Sequence, residues 1–503
     1  SIAHPKATLH SALREVRNIR RVSSSTIKEP VRIIIDEGDY RLSEPVFIRS
    51  EDSGTEDSPT IIEGRSGAKV ILNGGLSVSN WKRLTTKLPG TPVTADGNLW
   101  VADLPEELDG FPPVRHFWVN GVKAVKARWP NEGEMKRIVS WNKQEETCVI
   151  PHVPLKLSEI RGMEMFILQW WENAVLRVKK MEEVPGGIRL HFKEPESRIQ
   201  SEHPWPPPSI NEETGNSAFY LTNLAEFLDE PGEWWVDHKS RKIYYWPREG
   251  EDMETADAVV PLLENIIRME GSPCRPVSHV HFRNISFQYT GWNRPSLMGH
   301  VPMQIGMPII DAYELAPPGT AFDAQLQNVG WIERPAAAVL VRYAEKTSFQ
   351  SCNFSHFAST GLDYREGTKY NVINGNLFED IGGSGILTGI FSDEAVLTHR
   401  PYIPEYKEVI VESNRITNNF IFDVANEDWG CVGIGLGFVR DTYVAHNEIA
   451  NLSYTGISLG WGWHTTPNIM RNNQIISNKI HHFGRSNYDG GGIYTLSAQP
   501  GTV

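Results

Sequence analysis

The sequence has few cysteines and no long apolar run. Its four cysteines, Cys148, Cys274, Cys352 and Cys431, are far apart and form no CxxC pair. A zinc site built on paired cysteines is therefore disfavoured, and we expect buried free thiols. No stretch of about 18 apolar residues is present, so the sequence predicts no membrane-spanning helix.

Positive charge is also scarce. The chain has 49 Lys and Arg against 62 Asp and Glu, a net charge of −13. Proteins that bind nucleic acid usually carry a basic surface, so we expect no nucleic-acid partner. Neutral ligands remain compatible with this charge. The first residues, Ser1 to Lys6, do not resemble a signal peptide, and no P-loop, GxSxG, HExxH or EF-hand pattern occurs.

The first 76 residues combine one helix with short strands. Leu9, Leu13, Val16 and Ile19 fall on one face of a helix over residues 8–20. Short apolar segments follow over residues 31–48, separated by turn residues. We expect residues 1–76 to form the first coils of a β-solenoid, with the short helix capping its open end.

The pattern changes over residues 77–256. Asn120-Gly121 separates two apolar runs and predicts a tight hairpin. In GEWWVDHKSRKIYYWP, residues 234–236 are expected to pair with 243–246 across a polar turn. We interpret residues 77–256 as an inserted β-rich domain.

From His281 onward, an irregular repeat consists of an Asn followed by a Gly and an aliphatic residue. Each Asn is expected to occupy a left-handed turn position and to stack on its counterpart one coil away. Each aliphatic residue is expected to point into one continuous core. We therefore predict an all-β chain whose residues 257–503 form the main right-handed parallel β-helix. The repeat members are Asn353, Asn376, Asn419, Asn447 and Asn478, with Leu362, Ile386, Ile434, Ile457 and Ile493.

Asp489 is the strongest candidate for a catalytic side chain. It precedes three glycines, which leave room for a ligand beside its carboxylate. A catalytic acid, base or nucleophile is one interpretation. The alternative is an aspartate that satisfies backbone groups in a glycine-rich turn.

Aromatic residues close to Asp489 in sequence are candidates for substrate binding. Trp461 and Trp463 lie on one side of a predicted strand, and flat aromatic faces suit the apolar face of a sugar ring. His464 could form hydrogen bonds with sugar hydroxyls, and Tyr488 would help to shape the same sugar-binding site. Core packing of the tryptophans and an ordinary hydrogen-bonded histidine are the alternative.

Glu427 and Asp428 form an acidic pair beside Trp429. They could share a proton or hold a cation, whereas a solvated acidic loop is the alternative. We include both as candidate substrate-binding residues and expect no metal and no cofactor.

Three passages together resemble glycoside hydrolase family 141. They are DEGDYRLSEPVFI, the pair FWVNGVKAVKARWPN and PGEWWVDHKSRKIYYWP, and SNYDGGGIYTLSAQPGT. The resemblance implies a β-helix enzyme with two catalytic aspartates. Asp489 matches the first, and the second is expected downstream of Val503, where we also expect the natural chain to continue.

The resemblance implies a glycosidase that acts on plant cell-wall polysaccharide, either as an α-L-fucosidase on rhamnogalacturonan-type pectin or as a xylanase. A polysaccharide lyase on the same scaffold, or a sugar-binding solenoid without catalysis, remains an alternative. A lyase favours basic residues at the groove, and Arg485 is the one close to Asp489. We expect a monomer that is secreted or periplasmic, its signal peptide removed, with no membrane partner.

Overall fold

The computed structural model describes residues 5–23, 27–153, 160–202, 207–313, 329–391, 402–463 and 465–503. Within these ranges strands far outnumber helices. The α-helices are Leu9–Ser23, Glu196–Glu202 and Arg294–Met298. Short 3-10 helices are Ser50–Asp52, Val93–Ala95, Glu106–Leu108, Ala225–Phe227 and Lys407–Val409. None of the helices in the described part of the chain is long and apolar enough to cross a membrane.

Three parallel sheets of eight strands each form what we call the three-sheet unit, and the chain visits them in turn. Sheet 1 contains Val31–Ile35, Thr60–Gly64, Val280–Arg283, Ser348–Gln350, Val372–Asn374, Arg415–Thr417, Tyr443–Ala445 and Gln474–Ile476. Sheet 2 contains Gly38–Arg41, Val70–Asn73, Ser286–Thr290, Asn353–Phe357, Leu377–Ile381, Phe420–Val424, Glu448–Ala450 and Lys479–His481. Sheet 3 contains Val46–Arg49, Ile267–Glu270, Ala337–Arg342, Thr360–Tyr364, Ile386–Thr388, Ile434–Leu436, Ile457–Leu459 and Ile493–Thr495. The predicted all-β class is confirmed, and the large parallel sheets are consistent with a solenoid.

The glycine before each aliphatic residue allows neighbouring coils to approach closely. A Cβ at Gly433 would lie 2.6 Å from the carbonyl oxygen of Gly456 and equally close to Ile449. The aliphatic residues that follow the glycines are aligned in sheet 3, as predicted. Four of the five are fully buried, whereas Ile493 is 50% exposed because its strand is the outermost of the sheet.

The repeated asparagines stack by side-chain hydrogen bonds. The Nδ2 of Asn419 donates to the Oδ1 of Asn447 at 2.9 Å, and Asn376 donates to Asn419 in the same way. The stacking prediction is confirmed for these residues, but the predicted left-handed conformation is wrong. The left-handed position is the preceding residue, such as Asn418 with a φ of 55°. Asn353 does not join the ladder, because Cys352 occupies the equivalent position and its backbone N–H donates to Asn376.

Mainly antiparallel sheets between residues 82 and 245, with two flanking strands, form what we call the antiparallel unit; its one parallel pair in the described residues joins Val125–Lys126 to Glu233–Asp237. An eight-stranded sheet contains Arg128–Trp129, Lys136–Arg137, Ser140–Asn142, Thr147–Ile150, Glu164–Leu168, Asn173–Val184, Gly187–Phe192 and Ala218–Thr222. A five-stranded sheet contains Lys82–Arg83, Trp100–Asp103, Val125–Lys126, Glu233–Asp237 and Lys242–Tyr245. A four-stranded sheet contains Gly75–Ser77, Trp118–Val119, Val122–Lys123 and Ala258–Pro261. The first and last strands of this four-stranded sheet pair with each other, so the antiparallel unit leaves and rejoins the rest of the chain at one place. The domain boundaries at 77 and 256 stay predictions.

The two hairpins predicted for the antiparallel unit are confirmed. Trp118–Val119 pairs with Val122–Lys123 across Asn120-Gly121. Trp234 lies opposite Tyr245 in the second hairpin. The described residues contain two further pairs of strands, Val277–Ser278 with Ala344–Glu345 and Ile309–Tyr313 with Val329–Ile332.

One apolar cluster lies within the three-sheet unit, whereas a second cluster contains side chains of both units. Leu9, Leu13 and Val16 of the first helix pack in the same cluster as the inward side chains of the parallel sheets. Three of the cysteines are buried free thiols as expected, but Cys274 is exposed. Its turn lies between two hydrogen bonds that join Ser272 and Arg275 outside the core.

Candidate active site

Asp489 lies on an exposed turn between the last strands of sheets 2 and 3. Its φ of 69° places it in the left-handed region, which aspartate tolerates better than most residues. Its backbone oxygen accepts a hydrogen bond of 3.0 Å from the hydroxyl of Tyr454. At Gly490 a Cβ would lie 2.5 Å from the hydroxyl oxygen of Thr455, so the turn packs against the preceding coil only with glycine there. The carboxylate of Asp489 is thus left facing solvent.

Two tyrosines and a glutamine surround this turn. The Nε2 of Gln304 donates to the hydroxyl of Tyr454 at 3.4 Å. Burial raises the pKa of Tyr454 and of Tyr494, and the nearby negative charge of Asp489 raises both further. Both phenols therefore stay protonated at neutral pH. Protonated phenols close to a carboxylate can donate hydrogen bonds to sugar hydroxyls or to the carboxylate itself.

The antiparallel unit contributes an aromatic residue to the same region. The backbone N–H of Tyr488 donates to the carbonyl oxygen of Trp170 at 3.0 Å, and the two rings lie 6.0 Å apart. Trp170 is 46% exposed and Tyr488 is 54% exposed. Exposed aromatic faces beside a carboxylate provide the apolar surface on which a sugar ring can pack.

A buried polar cluster joins the two units nearby. Glu172 accepts a hydrogen bond of 3.4 Å from the backbone N–H of Gly306. His300 lies 3.0 Å from a carboxylate oxygen of Asp428. Burial, followed by the negative charge of Asp428, raises the pKa of Glu172 well above its ordinary value. This shift favours the neutral carboxylic acid form of Glu172, which reduces the repulsion between two carboxyl groups at one buried interface.

The predicted site residues fall in different places. Tyr488 and Asp489 are adjacent and exposed, and Trp463 lies close enough to form a hydrogen bond with Tyr494. Trp461 is fully buried, with its ring 5.3 Å from the ring of Phe391. The expectation that Trp461 presents a face to substrate is therefore corrected, because neighbouring core residues cover its ring. His464 lies outside the described residues.

The acidic pair is split by the fold. Asp428 is buried in the cluster with His300. Glu427 points the other way, where its carboxylate lies 3.6 Å from the ammonium group of Lys123. The two residues do not share a proton with each other, and neither is a solvated loop carboxylate. Their roles in substrate binding stay predictions.

The sequence interpretation missed Tyr454, Gln304, Glu172 and Trp170. Trp170 and Glu172 belong to the segment QWWEN, where two aromatic residues beside an acid were a usable signal. Gln304 lies in a segment without any motif, so no sequence signal marked it. In the described part of the chain, no group of three or more His, Cys, Asp or Glu side chains has the geometry to hold a metal ion.

A family model and a solved structure match this chain. Residues 97–248 match the model of the GH141 insertion domain. A solved structure named "Glycoside hydrolase" is 42% identical, with a TM-score of 0.92, and the match covers 100% of this chain and 84% of that chain. "The complex structure of XylC with xylose" is 12% identical with a TM-score of 0.45, covering 100% of this chain and 65% of that one. No curated protein matches the chain. The chain belongs to glycoside hydrolase family 141 and is a glycosidase.

Proposed function

We propose that this glycosidase hydrolyses plant cell-wall polysaccharide and that its preferred bond is an α-L-fucosyl linkage in rhamnogalacturonan-type pectin. The observation that carries the proposal is the exposed Asp489 beside the phenols of Tyr454 and Tyr494. Trp170 and Tyr488 supply the aromatic surface next to it. The family resemblance supplies the choice of fucose.

Asp489 acts in the reaction as a proton donor or as a nucleophile. Hydrolysis of a glycosidic bond needs one carboxyl group to protonate the leaving oxygen and another to attack or to activate water. The exposed turn lets a bulky sugar approach the Asp489 carboxylate. Tyr454 acts as a positioning residue, since its hydroxyl holds the backbone of Asp489 from the neighbouring coil. The second carboxyl group stays unassigned.

The finer description of the molecule belongs to the same proposal. We infer a right-handed parallel β-helix with the first helix as its N-terminal cap, which the packing of Leu9, Leu13 and Val16 into the shared core supports. We also infer that the protein is a monomer and acts outside the cytoplasm, where plant polysaccharides are found. The family resemblance carries this localisation.

Product analysis tests the proposed reaction. Purified protein is incubated with rhamnogalacturonan-type pectin oligosaccharides and, separately, with xylan, and the released sugars are separated by anion-exchange chromatography. Release of L-fucose, absent with an Asp489→Asn variant, is the expected result. Xylose or xylo-oligosaccharides alone would replace the fucosidase proposal with the xylanase. An unsaturated uronate, detected by its ultraviolet absorbance, would show a lyase, and binding without any product would show a non-catalytic protein.

A further inference from the structure

A cavity lies where the antiparallel unit meets the three-sheet unit. Its volume is about 500 Å³. One wall is the segment Gly121–Lys126, and the opposite wall is the loop that carries Asn426, Glu427 and Trp429. A buried water needs only roughly 30 Å³ of space, whereas ligand sites typically span roughly 300–1,000 Å³. The space therefore suits a small organic molecule.

Hydrogen bonds and ion pairs hold the base of this cavity in place. The ammonium group of Lys123 lies 2.7 Å from Asn426 Oδ1 and 3.2 Å from Asp380 Oδ1. Asp380 also accepts hydrogen bonds from Trp118 Nε1 at 2.8 Å and from the His356 ring at 2.9 Å. Side chains with this many partners keep one geometry, so the cavity is formed before any ligand arrives.

One polar side chain of the cavity wall has no partner. His116 is 3% exposed, and both of its ring nitrogens lack a hydrogen bond to any described residue. A buried polar group without a partner costs roughly 1–3 kcal/mol, so such groups are rare unless a ligand or water satisfies them. Burial, followed by the charge of Arg115, lowers the pKa of His116 well below its ordinary value. A neutral imidazole offers one donor and one acceptor, which is the pair that a hydroxyl group can satisfy.

Charge and aromatic character narrow the ligand class. Four cationic and four acidic side chains line the cavity, so the lining favours neither a cation nor an anion. Glu164 lies behind this lining. Burial alone would raise its pKa, but Arg115 and Lys126 lower it to about 2. Trp429 adds a partly exposed indole, with its ring edge-on to Phe166 at 4.8 Å. Closely spaced donors and acceptors beside one aromatic ring are typical of sites that bind neutral sugars.

We propose that this cavity is a second sugar subsite, which binds one neutral monosaccharide unit of the polysaccharide through His116, Lys123, Glu427 and Trp429. The proposal rests on the proposed function, because it assigns the ligand from the same substrate. Because both units form the walls of the cavity, the proposal gives the antiparallel unit a role in binding substrate.

Binding of free monosaccharides tests the subsite without relying on catalysis. The full chain is titrated with L-fucose, D-xylose and D-galacturonate, and binding is followed by ligand-detected NMR. The variants are His116→Phe, which removes both ring nitrogens, and Trp429→Ala. Trp141→Ala is the matched control, because Trp141 is also partly exposed and packs on a phenylalanine, Phe192, away from the cavity.

We expect the unmodified protein and the Trp141→Ala control to bind at least one neutral sugar equally well. The two cavity variants should bind it at least tenfold more weakly while keeping the melting temperature of the control. If His116→Phe does not fold, the sugar affinity of Trp429→Ala alone tests the proposed subsite. Unchanged binding in the cavity variants, no binding of either neutral sugar, or preference for D-galacturonate would overturn the subsite. Product release is measured separately, so loss of the subsite with retained hydrolysis leaves the proposed function standing.

Discussion

Replacing Asp489 with asparagine should lower catalytic activity without lowering the stability of the protein. Within the described residues, the Asp489 carboxylate makes no hydrogen bond or ion pair, and only its backbone oxygen is held, by Tyr454. Asparagine keeps the size of the side chain and tolerates the left-handed φ of 69° at least as well. We therefore expect the free energy of unfolding to change by less than about 0.5 kcal/mol.

The expected effect on turnover is far larger. Loss of a catalytic acid, base or nucleophile lowers kcat by roughly a hundredfold or more, which corresponds to about 2.7 kcal/mol of activation free energy. The assay measures kcat, KM and melting temperature of the same purified variant on a fucosylated pectin oligosaccharide. KM should change little, because asparagine still fills the place of the aspartate.

Asp441→Asn provides a matched control. Asp441 is also an exposed aspartate with a positive φ, 53°, on a turn of the three-sheet unit. Its Oδ1 accepts a hydrogen bond of 3.0 Å from Asn472, which an asparagine amide oxygen can also accept. This variant should keep full activity and stability. Near-normal turnover of Asp489→Asn, or a loss of stability with activity kept, would refute the reasoning and support the turn role instead.

Three further predictions concern stability. Gly433→Ala should destabilise the protein by about 1–3 kcal/mol because the added Cβ would press against the backbone of Gly456. In the control Gly291→Ala, the atom nearest to the added Cβ would be 3.4 Å away, so the melting temperature should change little. Equal effects of the two substitutions would contradict the close contact between coils at Gly433. The pKa of the Glu164 carboxyl group is lowered to about 2, so ionised Glu164 contributes about 3 kcal/mol to the free energy of unfolding above pH 4.5, and this contribution is lost as the pH falls through 2. Chemical unfolding measured across this pH range should therefore show a smaller decrease in the free energy of unfolding for Glu164→Gln than for the unmodified protein. Trp461→Ala should lower stability by about 3–5 kcal/mol, whereas a raised KM with an unchanged melting temperature would favour a sugar contact.

Local patterns in the sequence were sufficient for the repeating part of the fold. Stacked coils place the same residue type at the same point of every coil, so Ile386 and Ile434 could be identified as core residues from their glycines. The Asn120-Gly121 hairpin was predictable because a two-residue turn depends only on its own residues. The ladder of asparagines was predicted correctly except at Asn353, where Cys352 takes the equivalent position, and the left-handed residue is the one before each asparagine.

The site depended on contacts between distant segments, which no local pattern records. Trp170 meets Tyr488, and Lys123 meets Glu427, only because the antiparallel unit folds back onto the loops of the three-sheet unit. The position of Trp461 in the sequence likewise did not determine whether it is buried, because a tryptophan on a strand can face either the core or the solvent. Sequence periodicity determines which residues repeat along the coils, whereas the packing of one unit on the other decides which polar side chains meet, because those contacts join residues with no fixed spacing in the chain.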